Sequence, residues 1–351
     1  MVRVKPVGRG RWLTVVAASV VLLGLTGCGG GGGDWKEPKQ GQALVLLSTA
    51  TGAAYDGFGD IPVGLAVGRN DQVYGMFVNL VALGKDHKLK TLQQHIDGMH
   101  GLVALPDGSL ATGSGGQIVR LSADGQQTAV LAGTSGLGRK AGQPAPESAP
   151  AKQFRFADKA PAPFGVRSDG SLLITDEDVI WSLKGDTLTR LYQIPTDAYR
   201  NGTRFLPGQV ASGTNSVYVA DQPTLGGIRT VDPGGTSHPF ALLHGVAGVT
   251  GDLSALQVAW MTGDGANGVY VKAHDENGSY VLHLTSGKAE LIVKQATGDT
   301  GSAAKSACKP GRLVDATKLP CSIPYALTYS AHSGSLVMAG SSSYVLRVPT
   351  K

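Results

Sequence analysis

Between residues 43 and 351, short apolar runs alternate with turns rich in glycine, aspartate and asparagine, and one arrangement returns six times. It is an apolar strand, a turn that tolerates positive φ, and a second apolar strand, which together read as an antiparallel hairpin. The copies are Gly64–Tyr74, Gly101–Leu110, Phe164–Asp176, Gln209–Asp221, Leu256–Val271 (with a longer turn) and Tyr325–Met338. A third strand follows, with apolar–polar–apolar alternation, at Ile118–Leu121, Val179–Leu183, Ile228–Val231, Tyr280–Leu284 and Tyr344–Val348. Fourth strands come next, such as Gln127–Leu131 and Leu188–Tyr192. No stretch keeps a 3.6-residue apolar period, so helices are not expected. Four antiparallel strands recurring six times predict an all-β fold, a six-bladed β-propeller of four-stranded blades.

The hairpin turns fall near positions 70, 107, 169, 215, 267 and 333, and the two widest intervals carry inserts, residues 132–161 and 294–323. The chain stops after the third strand of the sixth unit, while an unused apolar segment, Ala43–Leu47, precedes the first. Pairing that segment with Tyr344–Val348 would close the ring and cover an exposed edge. The propeller is therefore assigned to residues 42–351.

The third unit is the most regular. Pro163-Phe-Gly-Val166, Ser168-Asp-Gly-Ser-Leu-Leu-Ile-Thr-Asp176 and Val179-Ile-Trp-Ser-Leu183 resemble the NHL repeat, with its arginine pair lost. Ala132-Gly-Thr-Ser-Gly-Leu-Gly138 and Pro144-Ala-Pro-Glu-Ser-Ala149 are similar to the glycine-rich loop of bacterial NHL proteins, and Ala296–Pro324 looks like a divergent copy of that loop. The resemblance implies a six-bladed propeller. It does not imply one activity, because propellers host enzymes, binders and scaffolds.

The N-terminus has a different character. Arg3, Lys5, Arg9 and Arg11 precede an apolar run, Trp12–Leu25, that is too short for a bilayer span, which needs roughly 20 residues. It fits the hydrophobic part of a secretion signal, residues 1–27. Leu25-Thr-Gly-Cys28 resembles the lipobox of bacterial lipoproteins. The resemblance implies cleavage before Cys28, lipidation of that cysteine, and attachment to the bacterial cell membrane on its extracytoplasmic face. The glycines that follow mark residues 28–41 as the lipidated cysteine and a flexible tether.

This leader changes the meaning of the charge. The chain holds 31 Lys and Arg against 26 Asp and Glu, but four of those cations leave with the leader, so the remainder is nearly neutral. The basic character therefore gives no support to nucleic-acid binding. Cys28 is set aside for lipid, which leaves Cys308 and Cys321. In an oxidising compartment such a pair reads as a disulfide, and residues 300–325 offer no histidine for a metal site.

Candidate chemistry is sparse. None of the eight histidines (87, 95, 100, 238, 244, 274, 283 and 332) has HxH or HExxH spacing. His100 and His274 lie near inner strands and could face the channel. Asp176 and Asp221 end equivalent second strands and read as ligands of turn amides. Asp176-Glu-Asp178 and Asp56-Gly-Phe-Gly-Asp60 are acidic, but lack calcium-loop spacing and read as solvated turns. No GxSxG elbow and no free cysteine nucleophile stand out. No catalytic residue, metal or cofactor is assigned. The expectation is a non-catalytic binding or scaffold propeller with an extracytoplasmic protein or small-molecule partner. The alternative is a metal-dependent propeller enzyme, of lyase or lactonase type, with its site in the central channel.

Overall fold

Two hairpins show how the repeat closes. Asp107 and Asp169 each accept hydrogen bonds from the backbone N–H and hydroxyl of a serine two residues on, Ser109 and Ser171. Between them Gly108 and Gly170 adopt φ of 88° and 81°, a left-handed backbone that glycine accepts at no steric cost. Asp-Gly-Ser is thus one turn used twice, and its carboxylate replaces hydrogen bonds the sharp bend would otherwise lose.

The computed structural model describes residues 35–48, 63–84, 87–94, 96, 98–136, 138–157, 161–196, 204–206, 208–242, 245–296, 306–340 and 344–351. After β1 (Gln42–Ser48), the first blade holds β2 (Gly64–Val67), β3 (Val73–Met76), β4 (Leu80–Leu83) and β5 (Leu89–Gln93). The second holds β6 (Met99–Ala104), β7 (Leu110–Ser114), β8 (Gln117–Leu121) and β9 (Gln127–Ala132). A short strand from the first insert, β10 (Ser148–Pro150), lies outside the third blade, whose members are β11 (Ala162–Val166), β12 (Leu172–Asp176), β13 (Val179–Lys184) and β14 (Thr187–Gln193). The fourth runs through β15 (Val210–Ser212), β16 (Val217–Ala220), β17 (Ile228–Val231) and β18 (Ser237–Pro239). The fifth runs through β19 (Gln257–Gly263), β20 (Val269–Asp275), β21 (Gly278–Thr285) and β22 (Lys288–Lys294). The sixth combines β23 (Leu313–Asp315), β24 (Ala326–Ser330), β25 (Ser335–Ala339) and β26 (Tyr344–Pro349) with β1.

Inner strands touch in a closed cycle, β2 to β6, β11, β15, β19, β24 and back to β2. The expected six-bladed propeller is therefore the observed fold, and the seam is where the unused strand placed it. Leu44 pairs with Arg347 and Val45 with Leu346, antiparallel, with a bulge before Leu47. The edge itself lies one strand further out, because β23 from the second insert pairs with β1 through Gln42–Asp315 and Leu44–Leu313. The two inserts are structural counterparts. Each lays a three-residue strand on a blade's outer edge and follows it with a 3₁₀ turn, Ala151–Gln153 or Ala316–Lys318.

Burial explains why the middle strands read as continuous apolar runs. A blade is covered on both faces by its neighbours, so Leu172–Asp176 is buried at every position, whereas the outermost β9 is exposed over its first three residues. The core is accordingly a set of clusters between blades. One joins Val103 and Ile118 to Leu172 and Trp181, and another joins Tyr218 and Ile228 to Val258 and Val271. Cys308 and Cys321 form a disulfide, with Cα atoms 6.2 Å apart and both side chains fully buried. The bridge joins the two ends of the segment that carries β23 and its 3₁₀ turn, and it packs in the same cluster as the leucines of β1.

Two sequence assignments need correction. The strand Leu80–Leu83 was missed, because its four residues are all apolar and show no alternation. The tether was also drawn too long. Trp35 stacks on His87 with ring centroids 3.6 Å apart, and Glu37 forms an ion pair with Arg347. The unit that holds residues 42–351 therefore also takes in Trp35 and the residues up to 41. The signal segment 1–27, Cys28 and the glycine tract lie outside the described residues, and no described helix is long and apolar enough to cross a membrane.

Candidate functional site: the central channel

The six inner strands enclose a cavity of 480 Å³ on the propeller axis, within the usual size range of small-molecule sites. Two glycines set how closely those strands approach. A Cβ on Gly263 would lie 1.8 Å from the carbonyl oxygen of Ser212 in the next blade. One on Gly101 would lie 2.4 Å from that of Pro163, at a φ of 67°. Any side chain at either position would push neighbouring blades apart.

The wall mixes apolar and polar surface, and its apolar members include Leu102, Phe164, Val166, Trp260, Met261 and Leu327. Hydroxyls come from Ser168, Thr175, Ser212, Thr214, Thr262, Thr328 and Tyr329, and Thr175 donates its proton to the carbonyl of Ala162 at 3.2 Å. Trp260 is held edge-on against Tyr325, with centroids 5.9 Å apart. Among the described lining residues the one charged side chain is Arg167, at the first position of the Asp169 turn. Its backbone N–H donates to Ser171 O at 2.9 Å, which fixes the turn, while its side-chain Nε and Nη2 are buried with no hydrogen-bond partner among the described residues. Burial lowers the guanidinium pKa below its ordinary value, and the nearby Asp169 offsets this in part.

The candidate histidines lie elsewhere. His100 sits half-buried on β6, where its carbonyl accepts from the Thr112 hydroxyl, and it is not among the cavity-lining residues. His274 is exposed near the end of β20, opposite Gln257 and Ser279, and does not reach the channel either. His283 and Asp264 are 2.9 Å apart, His238 and Asp232 3.1 Å, and His332 and Asp71 3.9 Å. His95, His244, Asp56 and Asp60 lie outside the described residues. Among the described residues no three His, Cys, Asp or Glu side chains are grouped to hold a metal ion.

The Asp176-Glu-Asp178 segment is not a solvated turn. Asp176 and Asp178 are fully buried, and Arg139 from the first insert reaches both. Its Nε lies 3.6 Å from Asp176 Oδ2 and its Nη2 donates to Asp178 Oδ1. Gly142 N–H and Gln193 Nε2 donate to Asp178 Oδ2 at 3.1 and 2.9 Å, and Trp181 Nε1 donates to Asp176 Oδ2 at 3.3 Å. This ion pair fastens the insert to the third blade, so the structural role expected for Asp176 holds, with a different partner. Asp221 likewise faces Arg229 at 3.4 Å rather than turn amides, and burial raises its carboxyl pKa.

Arg139, Arg167 and the buried Lys272 all went unnoticed in the sequence, because a single cation in a β-rich chain carries no periodic signal. For Arg167 a cue did exist: the second repeat has Pro106 before Asp-Gly, the third has Arg-Ser, and only the latter puts a charge beside the channel.

No family model matches the chain, and no curated protein does. Solved propellers do. A Bacteroides thetaiotaomicron protein of unknown function is 12% identical, with 88% of this chain and 76% of that chain covered and a TM-score of 0.58. A gluconolactonase from Xanthomonas campestris is 14% identical, with 88% and 89% covered and a TM-score of 0.49. Virginiamycin B lyase from Staphylococcus aureus is 12% identical, with 88% of both chains covered and a TM-score of 0.46. At these identities the likeness concerns the fold alone.

Proposed function

We propose that this protein is a lipid-anchored, extracytoplasmic propeller of NHL-like repeats that binds a small molecule in its central channel without transforming it. The observation that carries the reading is the makeup of the cavity. It is large enough for a ligand of about ten to fifteen heavy atoms, its walls mix apolar side chains with polar surface, and its described lining offers hydroxyls and one arginine but no carboxylate or imidazole. General acid–base catalysis needs a titratable group within hydrogen-bond reach of the substrate, and a metal needs convergent donors. The lipobox-like Cys28 supports the anchor, and the disulfide fits an oxidising compartment.

Metal analysis and thermal-shift titration of the purified protein test this together. The expected result is a metal-free protein whose melting point rises with small apolar ligands. Stoichiometric calcium or zinc, removed by chelator with loss of ligand response, would favour the lyase or lactonase alternative instead.

A further inference from the structure

We infer that the channel ligand carries an anionic group, a carboxylate or its equivalent on an otherwise apolar molecule, and that Arg167 is the residue that reads it. The inference rests on the channel-binding reading and adds the ligand's charge. Its starting point is a contrast among the arginines. Arg139 is held by Asp176 and Asp178, Arg347 by Glu37, Arg229 by Asp221 and Arg120 by Asp107. Arg190 donates to the Ala145 carbonyl and to Gln193. Nε of Arg120, Arg139 and Arg347 is also buried without a hydrogen-bond partner, but each of those guanidiniums has an ion pair. Among the described residues, by contrast, Arg167 has no ion pair and no acceptor for its buried Nε and Nη2.

The nearest carboxylate does not fill that role. Asp169 is engaged by Lys184 Nζ at 2.9 Å and by the hydroxyl and N–H of Ser171 at 2.6 and 3.0 Å. These bonds lower its own pKa well below the usual carboxylate range. The Arg167 charge is therefore partly desolvated and, among the described residues, without a dedicated counter-ion, an arrangement that costs the free protein stability. It is also the one charge among the described lining residues, on a wall that combines leucine, valine, phenylalanine and tryptophan with neutral hydroxyls. In such surroundings a charge-assisted hydrogen bond is worth more than in water, and guanidinium suits planar, two-oxygen anions. Nε and Nη2 are closed to solvent in the free protein. An anion entering the channel would therefore draw the guanidinium toward it by a change of side-chain rotamer and then act as their acceptor, while its apolar body covers the apolar part of the wall.

The test compares octanoate with 1-octanol, probes of equal chain length that differ in charge, by calorimetric titration of the purified full chain and its Arg167→Met variant. Octanoate is expected to bind the native protein at least about tenfold more tightly than octanol. Arg167→Met should erase that preference and leave octanol binding unchanged. The ligand-free variant should melt no lower than the native protein, since the replacement removes a desolvated charge that Asp169 offsets only in part. Equal binding of both probes, unaffected by the substitution, would overturn the role of Arg167 and leave the channel reading intact. Absence of binding by either probe, up to the solubility of octanol, would remove both. A markedly lower melting point for ligand-free Arg167→Met would show that the guanidinium serves the fold, and would also overturn the inference.

Discussion

Deleting residues 42–48 should open the ring. Ala43, Leu44, Val45, Leu46 and Leu47 are at most 5% exposed, and β1 is hydrogen-bonded on both sides, to β26 and to β23. Burial of three leucines and a valine at about 1.5–3 kcal/mol each contributes about 6–12 kcal/mol, an upper range because unfolded chains already bury some apolar surface. That is comparable with the 5–15 kcal/mol by which typical domains are stable. Two ladders of backbone groups would lose their partners as well. The truncated protein should therefore unfold or aggregate at room temperature, which differential scanning calorimetry and size-exclusion chromatography would report. A milder version keeps the chain intact. Leu44→Ala should cost about 2–5 kcal/mol and lower the melting point by roughly 5–15 °C. Removing residues 29–33 should change neither quantity, whereas removing residues 35–40 should cost part of the seam, because Trp35 and Glu37 dock there. If the 42–48 deletion melts with the native protein, the N-terminal strand does not close the propeller and the reasoning fails.

Cys28→Ala should move the protein from the membrane fraction to the aqueous phase in detergent partitioning, and an unchanged membrane fraction would sink the lipid anchor. Cys308 and Cys321 should resist alkylation in freshly isolated protein; replacing both by alanine should cost about 3 kcal/mol in the chain-entropy model, read as a lower denaturant midpoint. Lys272 gives a pH signature. Its side chain is 9% exposed, it donates to Ile323 O at 3.2 Å, and burial lowers its pKa from 10.5 to about 8. Below pH 8 both folded and unfolded states hold the proton and the desolvation cost is present in full. Between pH 8 and 10.5 the unfolded state holds more protons, so this group's contribution to stability rises with pH. The melting-point advantage of Lys272→Met at pH 7 should accordingly shrink by pH 10, and a constant difference would contradict the buried charge.

Local pattern carried most of the fold. Six hairpins, the third strands after five of them and the seam segment were legible because each strand's apolar run ends at a residue that the turn requires, as Asp107-Gly-Ser109 and Asp169-Gly-Ser171 show. Leu80–Leu83 escaped because a strand buried on both faces has no alternation to read. The cysteine pair was legible from compartment and number alone. What the tertiary structure decided was which polar groups meet. Arg139 finds Asp178 across 39 positions of sequence, and that contact turns an apparently solvated acidic turn into a buried ion pair. His100 sits on an inner strand as anticipated, yet it is Gly101 to Ala104 of that strand that line the channel and not His100, while Arg167, at a turn like any other, borders it. A propeller builds its axis from six distant segments brought side by side. The composition of that axis is therefore a property of the closed ring, which no single repeat contains.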